Sequence, residues 1–102
     1  MICVIATIEV VPGRRDELLA ASREVVPVVR AEKGCIDYGP MIDVPSGLPA
    51  QGPVREHVVT MIEKWESLAA LDAHLKTPHM TEYFRKTEPM RRGMTLQVLG
   101  PA

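Results

Sequence analysis

The chain of 102 residues carries 12 Lys and Arg against 13 Asp and Glu, with three His, for a formal charge of −1. Basic residues that cluster no further than the pairs Arg14-Arg15, Arg85-Lys86 and Arg91-Arg92, with one Trp, two Tyr and one Phe, leave no electrostatic footprint for nucleic acid. A hydrophobic share of 46% against 25% charged residues is too apolar for a disordered chain and predicts one domain, residues 1–102, around a packed core.

Residues 2 to 11 alternate with period two, Ile2, Val4, Ala6, Ile8 and Val10 on one face and Cys3, Ile5, Thr7, Glu9 and Val11 on the other, which predicts a strand apolar on both faces. The apolar run within it falls far short of the ~20 residues of a membrane span, and no basic segment precedes it. A cytoplasmic protein without a membrane partner is therefore expected, with Cys3 and Cys35 as two buried, unpaired thiols. After Pro12-Gly13, Asp16 and Glu17 sit where a helix N-terminus favours negative charge. Leu18, Ser22, Val25, Val26 and Val29 then recur at helical spacing, predicting a helix over 14–32 with a kink or break at Pro27 and Gly34 as its left-handed terminator.

Residues 35 to 44 read as a second strand with Ile36, Tyr38, Ile42 and Val44 on one face. Pro40 makes it an edge or places a bulge at Gly39-Pro40. Residues 45 to 54, rich in Pro and Gly, form a long loop that is a candidate lid, with Asp43 as a turn residue before it. The third strand, 55 to 65, sets His57, Val59, Met61, Glu63 and Trp65 on one side. Ser67 is a candidate N-cap for a short helix with Leu68, Leu71 and Leu75 on its buried face, without the reciprocal capping box because position 70 is Ala. Thr77 as N-cap and Pro78 at the first position start another helix, to Pro89, burying Met80, Tyr83 and Phe84. Gly93 precedes a last strand in which Met94, Leu96 and Val98 alternate with Thr95, Gln97 and Leu99. The order β-α-β-β-α-α-β is the split βαβ of a ferredoxin-like α+β fold with an antiparallel sheet. Because its helices cover one face while the first strand is apolar on both, a homodimer packed sheet to sheet is expected.

The stretch Glu63-Lys64-Trp65-Glu66-Ser67, then His74, Thr77-Pro78-His79-Met80 and Tyr83-Phe84, resembles the E-x-W-x-S, helix His, T-P-H and aromatic pattern of the antibiotic biosynthesis monooxygenase family. The likeness to its quinol monooxygenase-like members extends over the whole chain, including Gly34-Cys35 before the second strand and Tyr38 and Asp43 within it. It implies a dimeric α+β barrel with a pocket between sheet and helices in each subunit. The implied reaction is oxygenation of a quinol or polycyclic phenol by dioxygen, without flavin, haem or metal cofactor. Such chemistry needs a base to form an electron-rich anion and a dry aromatic pocket to hold it. His74, at the edge of its helix stripe, is the candidate base, and Trp65 the candidate stacking wall. His79, whose place in a first helical turn disfavours its charged form, joins Tyr38, Tyr83 and Phe84 as pocket lining.

Duller readings apply to each: a hydrogen-bonded core histidine for His74, a core aromatic for Trp65, a helix starter for the T-P-H segment. No metal is expected, since His74 and His79 are five residues apart across a helix break, His57 lies on a strand, and no carboxylate is paired with them in the sequence. Haem-degrading relatives use an Asn on the first strand where this chain has Thr7. Two rivals stay open. One is a cofactor-free isomerase of a small phosphorylated, sugar-like molecule, with Arg55, Arg85 or Arg91 as phosphate ligands; the other is a non-catalytic dimeric ligand-binding protein.

Overall fold

The computed structural model describes residues 1–102. Its elements are β1 (Ile2–Val10), α1 (Arg15–Arg30), β2 (Cys35–Met41), β3 (Val58–Trp65), α2 (Leu68–Leu75), α3 (Pro78–Thr87), a 3₁₀ turn over Glu88–Met90, and β4 (Arg91–Leu99). The strands form one antiparallel sheet in the order β2-β3-β1-β4, the ferredoxin-like arrangement. In β1 the period-two pattern holds: Val4, Ala6, Ile8 and Val10 are buried beneath the helices, while Cys3, Ile5 and Thr7 on the other face are half-buried. Both cysteines are free and half-buried rather than buried.

The expected break at Pro27 does not occur, and α1 runs on to Arg30. Pro27 lies on the exposed side of the helix, so the Arg23 carbonyl that loses its donor faces water and needs no internal partner. The buried stripe is Leu18, Leu19, Ala21, Ser22, Val25 and Val29. Gly34 takes φ +86 as expected, reversing the chain into β2.

The second strand ends at Met41 and is an edge of the sheet, as the first of the two alternatives at Pro40 expected, while its irregularity lies between Cys35 and Asp37 rather than at Gly39-Pro40. Ile36 is the extra residue, 50% exposed, and its insertion rephases the strand so that Tyr38 faces the core opposite Glu63. Ile36, Ile42 and Val44 are exposed and do not share a buried face with Tyr38. The expected third strand is shortened to Val58–Trp65, whose inward residues Val59, Met61, Glu63 and Trp65 are all buried.

Ser67 caps α2, its hydroxyl accepting from the Ala70 N–H at 3.1 Å. The buried face of that helix is Leu71 and His74, whereas Leu68 and Leu75 are exposed. Thr77 does not cap α3 with its side chain; its hydroxyl donates back to the His74 carbonyl at 2.8 Å, closing the α2–α3 corner. Pro78 occupies the start of α3 as expected, and the helix ends at Thr87. Met94, Leu96 and Val98 pair opposite Ile8, Ala6 and Val4, so they share the helix-side face, but at the sheet edge they stay exposed.

Candidate active site

Trp65 ends β3 and is completely buried, and its indole N–H donates to Glu63 Oε1 at 3.0 Å. Strand periodicity places the two side chains on one face, so the carboxyl has a donor within its own strand. The His74 ring lies 4.5 Å from the Trp65 ring and 5.6 Å from that of Tyr38, centroid to centroid. His74 is 1% exposed, and its Nε2 is 3.9 Å from Glu63 Oε1.

On its other side, His74 Nδ1 is 2.9 Å from Glu32 Oε2, and His79 Nε2 is 2.8 Å from the same oxygen. A carboxylate can only accept, so both imidazoles donate to Glu32. That choice puts the proton of neutral His74 on Nδ1 and leaves a lone pair on Nε2. Glu32 reaches this point because the turn after α1 presses on the start of α2. The Glu66 N–H donates to the Gly34 carbonyl at 2.8 Å, and a Cβ on Gly34 would lie 2.6 Å from Ala70 Cβ. The Thr77 hydroxyl bond at the α2–α3 corner then brings the first turn of α3, with His79, alongside.

Burial raises the Glu63 carboxyl above its usual range, against the Trp65 hydrogen bond and the nearby His74, which pull it down. Burial also pushes the Tyr38 phenol well up. Tyr83 is raised by burial as well, partly offset by its 2.7 Å hydrogen bond to the buried Ser22 hydroxyl. Both phenols are thus held neutral.

Of the residues expected from sequence, Tyr38, Trp65, His74 and His79 come together. Tyr83, 7% exposed, lies with His79 in the lining of a groove of about 180 Å³ between α1 and α3, with Ala21, Val25, Val28 and Lys86. Phe84 packs on Tyr83, ring centroids 5.8 Å apart, beneath the Arg91 guanidinium at 5.9 Å. His74, Trp65 and Tyr38 are closed off from solvent, whereas His79 lines the groove.

Glu32, Glu63 and Ser22 are members of the site to which sequence reasoning assigned no role. Glu63 carries a signal, a carboxylate on the buried side of a strand two residues from Trp65. Glu32, at a helix end, carries none. Its placement also removes the argument that no carboxylate accompanies the histidines, because Glu32, His74 and His79 present ligand atoms within 4.8 Å of one another.

The candidate lid lies at the end of the sheet away from Trp65. It follows Met41 and precedes Val58, whereas Trp65 ends β3 seven residues on, roughly 23 Å along the strand. Asp43 is a clasp for this loop rather than a turn residue alone. Arg55 donates to it through Nε at 2.8 Å, Nη2 at 2.9 Å and its backbone N–H at 3.0 Å. Those hydrogen bonds bring the Asp43 carboxyl down to about 2. The arginines suggested for phosphate are engaged elsewhere: Arg55 with Asp43, Arg85 with Glu82, and Arg91 with the Phe84 carbonyl at 2.8 Å. Thr7, between Thr60 and Thr95, is on the sheet face turned away from Trp65.

Comparison with known proteins bears on the family and the fold. The profile of the family described as Antibiotic biosynthesis monooxygenase matches residues 1–86. The protein named probable quinol monooxygenase YgiN of Escherichia coli (strain K12) is 40% identical over 103 aligned residues, covering 99% of this chain and 98% of its own. Among solved structures, PA3566 from Pseudomonas aeruginosa superposes with a TM-score of 0.80 at 30% identity, covering 99% of this chain and 93% of that one. Rv0793 from Mycobacterium tuberculosis gives 0.79 at 27% identity, covering 99% and 94%. The chain belongs to the antibiotic biosynthesis monooxygenase family.

Proposed function

We propose that the protein is a cofactor-independent monooxygenase that oxidises a quinol-like or polycyclic phenol with dioxygen. The observation that carries this reading is His74, enclosed against Trp65, with its Nδ1 hydrogen committed to Glu32 and its Nε2 lone pair left as a base inside an aromatic surround. A phenolic ring enters by the α1–α3 groove, displacing Tyr83 from Ser22, and stacks toward Trp65 with Tyr38, His79 and Phe84 around it.

His74 takes the phenol proton, and exclusion of water keeps the anion a strong reductant. One electron passes to dioxygen, the radical pair forms a C–O bond, His74 returns its proton to the peroxide anion, and the hydroperoxide then breaks its O–O bond and the ring C–H bond to release water and leave a carbonyl. For a hydroquinone the sum is quinol plus dioxygen giving hydroxyquinone plus water. One atom of dioxygen ends in each product, two of the quinol's hydrogens leave in the water, and the rest stay in the hydroxyquinone.

The test is dioxygen uptake by purified, chelator-treated protein over a panel of hydroquinones and anthrone-type phenols, against heat-inactivated protein. Uptake stoichiometric with oxidised product supports the reading, and His74→Ala then lowers turnover by about a hundredfold or more. Uptake no greater than the control across the panel overturns it in favour of the isomerase or binding readings.

The active form in this proposal is a cytoplasmic homodimer. Its support is the uncovered sheet face, with Ile5 and Ile62 at its centre, and the exposed Met94, Leu96 and Val98 of the edge strand. No helix is long and apolar enough to cross a membrane. A monomeric mass by light scattering at micromolar concentration would refute the dimer.

A further inference from the structure

We infer that Glu32, His74 and His79 form a site for a divalent transition ion, of which zinc is the best fit, and that occupancy switches off the base. Three donors of the two-imidazole, one-carboxylate type converge here from three different elements. They are His74 Nδ1 on α2, His79 Nε2 on α3 and Glu32 Oε2 just beyond α1, all within 4.8 Å of one another. That donor set and that convergence suit zinc in a tetrahedral shell, whose ligand atoms sit about 3.4 Å apart at zinc–ligand lengths near 2.1 Å. The two nitrogens are 2.9 and 2.8 Å from the oxygen, so an ion replacing the two hydrogen-bonded protons widens each gap by about half an ångström. His79 and Glu32, whose side chains are 28% and 12% exposed, have the freedom to supply that movement, while His74 stays clamped by Trp65. His79 lines the open groove between α1 and α3, which gives an ion and a water a route to its ring.

The surroundings are those of a supported metal ligand. The second nitrogen of His74 faces the Glu63 carboxyl at 3.9 Å, and Glu63 is itself held by the Trp65 indole at 3.0 Å. A metal-bound histidine commonly gives its other N–H to a carboxylate, and Glu63 is placed to receive it.

The consequence for the reaction follows from proton bookkeeping on one ring. With Glu32 as its partner, neutral His74 carries its proton on Nδ1 and offers Nε2 as base. With an ion on Nδ1, the one proton of the neutral ring must sit on Nε2, and the lone pair that the oxygenase reading requires is gone. His79, bound through Nε2, likewise keeps its one proton on Nδ1, so the neutral rings take the ion without net proton release and without redox change. The inhibitory role rests on the proposed function, whereas the site itself does not.

The experiment is calorimetric titration of the full-length, chelator-stripped protein with Zn2+, alongside Co2+ titration followed by visible absorption. The expected result is saturable one-to-one binding, a tetrahedral Co2+ spectrum, and at least a tenfold loss of affinity in Glu32→Gln and in His79→Ala, each checked for folding by circular dichroism. His57→Ala, at an exposed histidine remote from the cluster, binds as the wild type does. Absence of one-to-one binding, or binding undiminished in both cluster variants, overturns the site. If the quinol panel shows turnover, Zn2+ lowers it in proportion to occupancy and chelator restores it; turnover unaffected at full occupancy overturns the switch. Failure of the oxygenase reading appears as no turnover in metal-free protein, an outcome separate from either titration.

Discussion

Gly34→Ala tests whether the close approach of the α1–β2 turn to α2 is what assembles the cluster. Gly34 has φ +86, and an added Cβ would lie 2.6 Å from Ala70 Cβ, a contact that side-chain rotation cannot relieve because both atoms are fixed to backbone. The left-handed backbone costs an Ala about 1–2 kcal/mol. Overpacking that forces backbone to move adds about 1–3 kcal/mol, for a total of roughly 2–5 kcal/mol. For a domain of this size each kcal/mol corresponds to about 4–8 °C, so the melting temperature falls by at least ~8 °C. The same displacement moves α2 from the turn carrying Glu32 and lengthens the 2.9 Å bond to His74. Thermal melts of Gly34→Ala, Ala70→Gly and the double variant read the two components. Ala70→Gly by itself costs up to about 1 kcal/mol of helix propensity, yet in the Gly34→Ala background it recovers the steric part. A Gly34→Ala melting temperature within ~2 °C of wild type, or equal losses for Ala70→Gly in both backgrounds, would refute the reasoning.

Glu63→Gln gains stability relative to wild type as pH rises. Burial holds the folded carboxyl above its unfolded value of ~4.3, so the contribution of Glu63 is fully present below that pH and is lost as pH climbs through the folded value. Chemical denaturation of both proteins at several pH values from acid to neutral checks the sign, and a difference independent of pH contradicts it. Tyr83→Phe leaves the fully buried Ser22 hydroxyl without its partner and costs about 1–2 kcal/mol, whereas adding Ser22→Ala costs less than the two single changes summed; a strictly additive cycle excludes the coupling. Chelator-treated wild-type protein keeps its quinol turnover, because Glu32 satisfies both imidazole N–H groups and leaves His74 Nε2 free; loss of turnover on chelation, restored by a metal, would reverse the assignment.

Legibility in the sequence followed the range of the forces involved. The strand alternation of β1 and β3, the helix stripe of α1, the Ser67 cap and the left-handed Gly34 are local periodicities and backbone preferences, and each appears in the structure where its residues placed it. Pro40 marked β2 as a sheet edge, but the assignment of its faces failed because one inserted residue, Ile36, flips every side chain after it, and a bulge has no period to betray it. The Pro27 reading failed because the cost of a helical proline depends on whether its orphaned carbonyl faces water, a fact of packing.

The chemistry divides in the same way. The amino-acid order by itself determined the split βαβ succession, the family likeness, and the grouping of Glu63 with Trp65 on one strand face, since strand period requires nothing beyond neighbouring residues. Tertiary structure alone decided that Glu32, 42 residues from His74 and 47 from His79, is the carboxylate that joins them. It also decided that Tyr83 answers Ser22 across 61 residues, and that His74 is enclosed while His79 meets the groove. Such contacts depend on how closely one element can approach another. Here that distance is set by a single missing Cβ at Gly34 and a hydroxyl turned back at Thr77.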